Sequence, residues 1–254
     1  MVKPKKHLGQ HFLMDEDISS KIVDGLSGYG DYKNVLELGP GTGALTTHLI
    51  EKDWNLFLLE IDPESIMYLH TNYPKLSDRI LSGDFLNMDI GKTIKPPFAL
   101  IGNFPYNIST QIIFKVLEMR EEIPELVGMF QKEVAERLVM PAGSKTTGIL
   151  TVLLQTWYDC EYLFTVDKES FFPPPKVQSG VIRLKRNKRV KLEVDEKFYK
   201  KLIKMAFGQR RKTLRNSLKP LLKEKGIDTS DLFFTKRPEQ LSVEEFIGLV
   251  RVLS

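Results

Sequence analysis

Five short apolar runs recur along the first half of the chain: NVLEL (34–38), NLFLLE (55–60), RILSG (79–83), FALIG (98–102) and ELVGMF (125–130). Each is the length of a buried strand and too short for a helix. The stretches between them carry helix signals instead. GALTTHLIEK follows the first run; PESIMYLHTNY follows the second, with Pro63 suited to a first helical turn. STQIIFKVLEMR opens on Ser109 and Thr110 as candidate N-caps, and QKEVAERLV closes the series. Strands that alternate with helices cannot be joined by tight turns and must cross over. This rhythm predicts an open parallel α/β sheet with helices on both faces.

Beyond residue 140 the rhythm changes. GILTVLLQTWY (148–158) is apolar enough to be a buried helix or strand, and periodicity alone leaves both open. EYLFTV and VQSGVIRLK read as strands separated by ESFFPPPK, whose three prolines cannot continue a sheet interior. A late hairpin at the sheet edge accounts for both. After about residue 190 only helical patterns remain. In DEKFYKKLIKMAFG, Phe198, Leu202, Met205 and Ala206 share a face. RKTLRNSLKPLL repeats the theme with Leu214, Leu218, Leu221 and Leu222, and SVEEFIGLVRVL carries Ser242 and Glu245 at capping-box spacing. The expected organisation is a sheet domain over 1–187 and a small helical domain over 188–254.

Charge separates these regions. Residues 183–225 hold 17 Lys and Arg against 4 acids, a net of +13, although the whole chain carries only +4. The remainder is therefore at −9, and the basic tail points to a polyanionic partner, nucleic acid above all. The single cysteine, Cys160, excludes an intramolecular disulfide and a Cys-based zinc site, and no metal is expected. MVKPKKHLGQHFL is basic but lacks the apolar core of a signal peptide, and no run is long enough to span a bilayer. A soluble, cytoplasmic, monomeric protein with no membrane partner is the expectation.

ELGPGTGALT (37–46) joins the first strand to the first helix. Its glycines 39, 41 and 43 permit a tight turn and close backbone approach to a ligand, one residue short of the dinucleotide fingerprint. Alone this is a weak signal. Glu60 ends the second strand, where a carboxylate can accept both hydroxyls of a ribose. Asp84, after the third strand, can accept from an adenine amino group, with Phe85 packed on the ring. Acids at successive strand ends describe an adenosine pocket, and the lack of a phosphate-binding lysine loop favours a phosphate-free ligand such as S-adenosylmethionine.

NFPYNIST (103–110) follows the fourth strand. As a bare tetrapeptide N-x-P-Y is a strand-to-helix turn. Beside an adenosine pocket it acquires a chemistry. The exocyclic N6 of adenine is a poor nucleophile because its lone pair is delocalised into the ring. The Asn103 amide oxygen and the Phe104 carbonyl, accepting its two protons, favour a pyramidal nitrogen. Pro105 stiffens the loop so that these acceptors are preorganised, and Tyr106 stacks on the base.

KKHLGQHFL, ELGPGTGALT, LEID, GDFL, NFPYNIST, QKEVAERL, FFPPPKVQSGVIRL and FGQRRKTLRNSL together run nearly end to end, and through them the chain resembles the bacterial small-subunit (16S) rRNA adenine N6,N6-dimethyltransferase family. The resemblance implies a Rossmann-like methyltransferase domain with a small helical C-terminal domain. It further implies S-adenosylmethionine as methyl donor, and as target two adjacent adenines in the 3′-terminal hairpin of small-subunit rRNA within a subunit precursor. It places cofactor contacts on His11, Leu13, Gly39, Glu60, Asp84 and Asn103. It sets Phe171 against Tyr106 to sandwich the adenine. Two positions depart from the family pattern: His11 where Asn is more usual, and Phe104 in place of Leu. Lys3, Lys5 and Lys6, with Arg210, Arg211 and Lys212, are the expected phosphate contacts. A resistance-type enzyme acting on large-subunit rRNA and an assembly factor acting by binding are the competing readings.

Overall fold

The computed structural model describes residues 2–254. By internal packing these form two compact units, 2–136 with 159–186, and 137–158 with 187–254. The last passage between the units falls between Arg186 and Asn187. The earlier excursion, which takes residues 137–158 out of the first unit and into the second, is not visible as a change of composition.

The first unit is built on a seven-stranded sheet. Its strands are β2 (Asn34–Leu38), β3 (Asn55–Glu60), β4 (Ile80–Ser82), β5 (Phe98–Asn103), β6 (Glu125–Gln131), β7 (Tyr158–Val166) and β9 (Ser179–Arg186), in the order β4-β3-β2-β5-β6-β9-β7. The strands from β4 to β6 run parallel, as the crossover argument requires, and β9 is antiparallel to β6 with Gly128 opposite Ile182. A two-stranded ladder, β1 (Phe12–Leu13) against β8 (Phe171–Phe172), stands apart from this sheet. Nothing in the sequence pattern announces it.

Helices α1 (Glu16–Val23), α2 (Thr46–Leu49) and α3 (Pro63–Asn72) cover one face, packing Ile22, Val23, Leu49 and Leu69 with Val35, Leu58, Ile101 and Val127. The alternate strand residues Leu36, Leu100 and Leu126 are equally buried. Both faces are therefore covered, which is why the strands read as continuous apolar runs. The α4 helix (Ser109–Glu118) follows β5, and α5 (Lys132–Val139) follows β6. Neither Ser109 nor Thr110 caps α4: the Ser109 hydroxyl donates back to the Tyr106 carbonyl at 3.1 Å.

The second unit contains α6 (Ile149–Trp157), α7 (Glu196–Gly208), α8 (Leu214–Ser217), α9 (Lys219–Glu224) and α10 (Val243–Leu253). Residues 148–158 thus resolve as a helix ending where β7 begins. Thr151, Val152, Leu153, Leu154, Thr156 and Trp157 are all buried, and a helix enclosed on nearly every side shows no apolar stripe. The Thr156 and Tyr199 hydroxyls hydrogen-bond at 2.8 Å, and Phe207 stacks on Phe246. The buried face of α7 runs through Tyr199, Leu202, Ile203 and Ala206, so Phe198 and Met205 lie at its edges rather than its centre. RKTLRNSLKPLL makes two short helices, because Pro220 supplies no N–H to continue α8. Its four leucines are buried as expected, and Ser242 and Glu245 form the capping box of α10.

Among the described residues no helix is long and apolar enough to cross a membrane, and no cluster of three His, Cys, Asp or Glu is arranged to hold a metal ion.

Candidate active site

The chain starts the sheet at β2, winds outward to β4, and then returns to place β5 on the other side of β2. At such a reversal the loops leaving the carboxyl ends of the two strands diverge and open a crevice. A cavity of about 300 Å³ lies there, lined from residues 7–13, 37–45, 59–61, 83–86 and 103–108.

The glycine loop is pinned from β3. Gly39 N–H donates to the Leu59 carbonyl at 2.9 Å, and Gly41 N–H donates to Glu60 Oε2 at 3.0 Å. Gly39 has φ +69°, and a Cβ built there would meet nothing within 4 Å, so its backbone is open on that side. At Gly41 a Cβ would stand 2.9 Å from the Phe12 ring. Glycine here serves close approach of the loop to residues 7–13, the N-terminal strap along the cavity.

Glu60 is buried, and its other oxygen accepts from the N–H groups of Ile61 and Asp62 at 2.8 and 2.9 Å. Burial raises its pKa, while the three backbone donors pull it back. The carboxylate is therefore a fixed acceptor with lone-pair capacity left for a ribose hydroxyl. Asp84 is half-buried and accepts from Leu86 N–H at 3.0 Å and from the Asn87 amide at 2.5 Å, while Phe85 is buried beside it in the cavity wall.

Asn103 ends β5 at the opposite lip. Its Nδ2 donates to the His11 carbonyl at 2.9 Å, an arrangement that commits the nitrogen and leaves Oδ1 as an unspent acceptor beside the cavity. The Phe104 side chain is buried edge-on against Phe130, so this residue offers the cavity its backbone. Tyr106 shares a 2.6 Å hydrogen bond with Ser179, and burial raises its pKa. The imidazole of His11 lies nearly parallel to the Tyr106 ring, with 5.7 Å between centroids. His11 Nδ1 is 2.7 Å from the Pro173 carbonyl and must carry the proton, because a carbonyl only accepts.

Three carboxyl groups, Glu37, Glu60 and Asp84, line the cavity, and no lysine or arginine does so among the described residues. A phosphorylated nucleotide would find no counter-charge there. An adenosine ligand bearing positive charge fits.

A family model described as ribosomal RNA adenine dimethylase matches residues 1–251. The chain belongs to that family. This dimethylase is an S-adenosylmethionine-dependent rRNA adenine methyltransferase. It is 56% identical to the ribosomal RNA small subunit methyltransferase A of Cytophaga hutchinsonii over 254 residues, covering all of this chain and 98% of the relative. The protein of the same name from Flavobacterium johnsoniae is 57% identical over 98% of this chain and 95% of its own. Among solved structures, the 23S rRNA methyltransferase ErmE superposes with a TM-score of 0.67 at 27% identity, covering 94% of this chain and 99% of that one. A dimethyladenosine transferase from Plasmodium falciparum reaches 0.76 at 24% identity, covering 94% and 96%, and shares the fold.

In the dimethylase the expected positions His11, Leu13, Gly39, Gly41, Glu60, Asp84, Phe85, Asn103, Phe104, Pro105 and Tyr106 all line one cavity. Phe171 does not stand where the sandwich requires. It is buried, opposite Leu13 in the small ladder and within the apolar core, whereas Phe172 is 60% exposed. Strand alternation separates the two rings, and Phe172, paired with cavity-lining Phe12, takes the outward side. Lys5 is not a free phosphate contact either. Its ammonium pairs with buried Asp62 and with Glu64. Lys3, Lys6, Arg211 and Lys212 are exposed, and Arg210 donates to the Lys145 carbonyl at 2.7 Å.

Sequence reasoning missed Glu37. It is buried on β2, accepts from the Thr46 hydroxyl at 2.6 Å, and is pushed up to about 8 by burial, with nearby Glu60 adding to the rise. The available signal was an acid inside an otherwise apolar parallel strand, where a charge is costly without a purpose.

Proposed function

We propose that this enzyme dimethylates N6 of two adjacent adenines in the 3′-terminal hairpin of small-subunit (16S) rRNA, acting as a monomer on a subunit precursor during small-subunit biogenesis. The choice of subunit rests on the naming and closeness of its relatives: proteins called small subunit methyltransferase A are 52–57% identical over nearly the whole chain, against 27% for the large-subunit enzyme ErmE.

The chemistry rests on one observation, the Asn103 amide whose nitrogen is committed to His11 and whose oxygen is left beside the cavity. Asp84 and Phe85 would hold the adenine of the cofactor, Glu60 its ribose, and the 39–41 backbone its chain. When bound, S-adenosylmethionine supplies an electrophilic methyl on a sulfonium. Asn103 Oδ1 and the Phe104 carbonyl accept the two amino protons of the target adenine, which localises the nitrogen lone pair for in-line attack. The new N–C bond forms as the C–S bond breaks, and the surplus amino proton leaves to water. No side chain has to act as a strong base. Tyr106 stacks on the target, and Arg210, Arg211 and Lys212 meet rRNA phosphates.

The test is methyl transfer from labelled S-adenosylmethionine to undermethylated small subunits, large subunits and DNA in parallel, followed by nucleoside mass spectrometry. Dimethyladenosine in small-subunit rRNA alone is the expected result. Label in large-subunit rRNA would move the target to the other subunit. Tight small-subunit binding without label would make binding the function.

A further inference from the structure

In the N-x-P-Y loop the Asn103 side chain is held by the His11 carbonyl, whereas Tyr106, following a proline turn, has two side-chain torsions that need restraint of their own. The structure supplies what restrains them. The phenol oxygen lies 2.6 Å from the Ser179 hydroxyl, and Ser179 is fully buried at the start of β9, opposite Gln131. One ring face is covered by the His11 imidazole at 5.7 Å and 26°. His11 is itself fixed twice, by its Nδ1–H to the Pro173 carbonyl at 2.7 Å and by its own carbonyl to Asn103 Nδ2 at 2.9 Å.

We infer that Ser179 and His11 are positioning residues for methyl transfer, which brace the Tyr106 ring at its hydroxyl end and on one face so that the target adenine is received on the opposite face. The inference rests on the reading of Tyr106 as the platform for that base. An adenine inserted between the His11 and Tyr106 rings would need about 7 Å, two stacking contacts, and the observed spacing is too small. His11 is therefore part of the support rather than a partner in the sandwich. The same imidazole ties the cofactor-side strap to the proline-rich loop, so both substrates meet a single rigid assembly. Asparagine at position 11 could keep the backbone contact to Asn103 but would present no ring to Tyr106.

The experiment measures kcat and the KM for S-adenosylmethionine on undermethylated small subunits for Tyr106→Ala, Tyr106→Phe, Ser179→Ala, the Tyr106→Phe/Ser179→Ala double variant, and His11→Asn, with thermal melting to verify folding. Tyr106→Ala tests the platform: kcat should fall by about a hundredfold or more. Tyr106→Phe and Ser179→Ala each remove the same hydrogen bond from opposite ends. Each should lower kcat by about tenfold with cofactor KM within about twofold, and the double variant should be no worse than either single. His11→Asn should lower kcat without loss of folding. If Tyr106→Ala is effective but the two hydroxyl deletions are silent or multiply independently, the brace is refuted while the platform stands. If Tyr106→Ala leaves kcat unchanged, the platform reading falls and the brace with it. Should Ser179→Ala fail to fold, Tyr106→Phe alone still decides, since wild-type turnover would exclude the brace.

Discussion

One buried carboxylate, Asp62, anchors the start of the N-terminal strap through Lys5 and Gln10, and removing it gives the sharpest test of how that strap closes the cavity. Asp62 is fully buried. It receives Lys5 Nζ, Gln10 Nε2 at 3.4 Å, Ser65 Oγ at 3.1 Å and, as N-cap of α3, the Glu64 N–H at 3.3 Å. Residues 7–13 downstream of that anchor line the cavity. Asp62→Ala removes a helix cap, worth about 1 kcal/mol, and charged hydrogen bonds worth about 1.5–3 kcal/mol together once non-additivity is allowed for. A loss near 3 kcal/mol corresponds to a fall in melting temperature of roughly 6–12 °C for a unit of this size. If about 2 kcal/mol of that loss falls on the closed strap, the Kd for S-adenosylmethionine should rise by roughly thirtyfold, read by titration calorimetry. The pH dependence has a definite sign. Burial alone would raise the Asp62 pKa, but the Lys5 ammonium, Gln10, Glu64 N–H and Ser65 outweigh it and hold the carboxyl below its ordinary range. A depressed carboxyl stabilises the fold above its unfolded pKa, near 4, and loses that contribution as pH falls toward the folded value. Wild type should therefore lose more stability than Asp62→Ala between about pH 5 and pH 3. A variant that melts within about 1 °C of wild type and binds cofactor within about twofold would refute the strap as the closing element.

Asp84→Ala should weaken cofactor binding while Tyr106→Ala mainly lowers turnover; equal loss of both properties in both variants would break that division of roles. Phe172→Ala should lower turnover with little change in melting, whereas Phe171→Ala, a buried ring, should cost about 3–5 kcal/mol in denaturant titrations. Gly102→Ala places a Cβ 2.5 Å from the Leu38 carbonyl and 2.7 Å from the Phe104 ring, and should destabilise by about 1–3 kcal/mol while displacing the acceptor loop. Replacing Arg210, Arg211 and Lys212 with alanine should flatten the logarithmic salt dependence of rRNA binding by about 2 in slope, checked by filter binding across salt concentrations.

Much of the sheet unit was legible because its information is local. NVLEL, NLFLLE and FALIG are strands with the expected ends, or within one residue of them, since a parallel strand covered on both faces must be apolar throughout. The glycine loop, Glu60, Asp84 and Asn103 converge because a strand-order reversal brings successive strand ends together, and that follows from the rhythm of the elements. What escaped depends on contacts distant in sequence. Phe171 and Phe172 differ only in which side of a two-residue strand they take, and the ladder that decides this pairs them with residues some 160 positions away. Lys5 reads as one more exposed cation until buried Asp62 is placed beside it. Ser179, at the start of β9, carries no signal until its hydroxyl meets Tyr106.

The excursion of residues 137–158 sets a timetable for synthesis. A ribosome making this chain releases α6 long before α7 and α10, the helices it packs with, and α10 follows by roughly a hundred residues. At about 5–20 residues per second this mostly apolar helix waits roughly 2–10 s for α7 and roughly 5–20 s for α10. In the same interval β6 waits for β9, which reaches it only after α6 has left the tunnel. An enzyme whose substrate is rRNA is thus itself exposed to aggregation while still on a ribosome. Shortening the chain after residue 187 would leave α6 in that exposed state permanently.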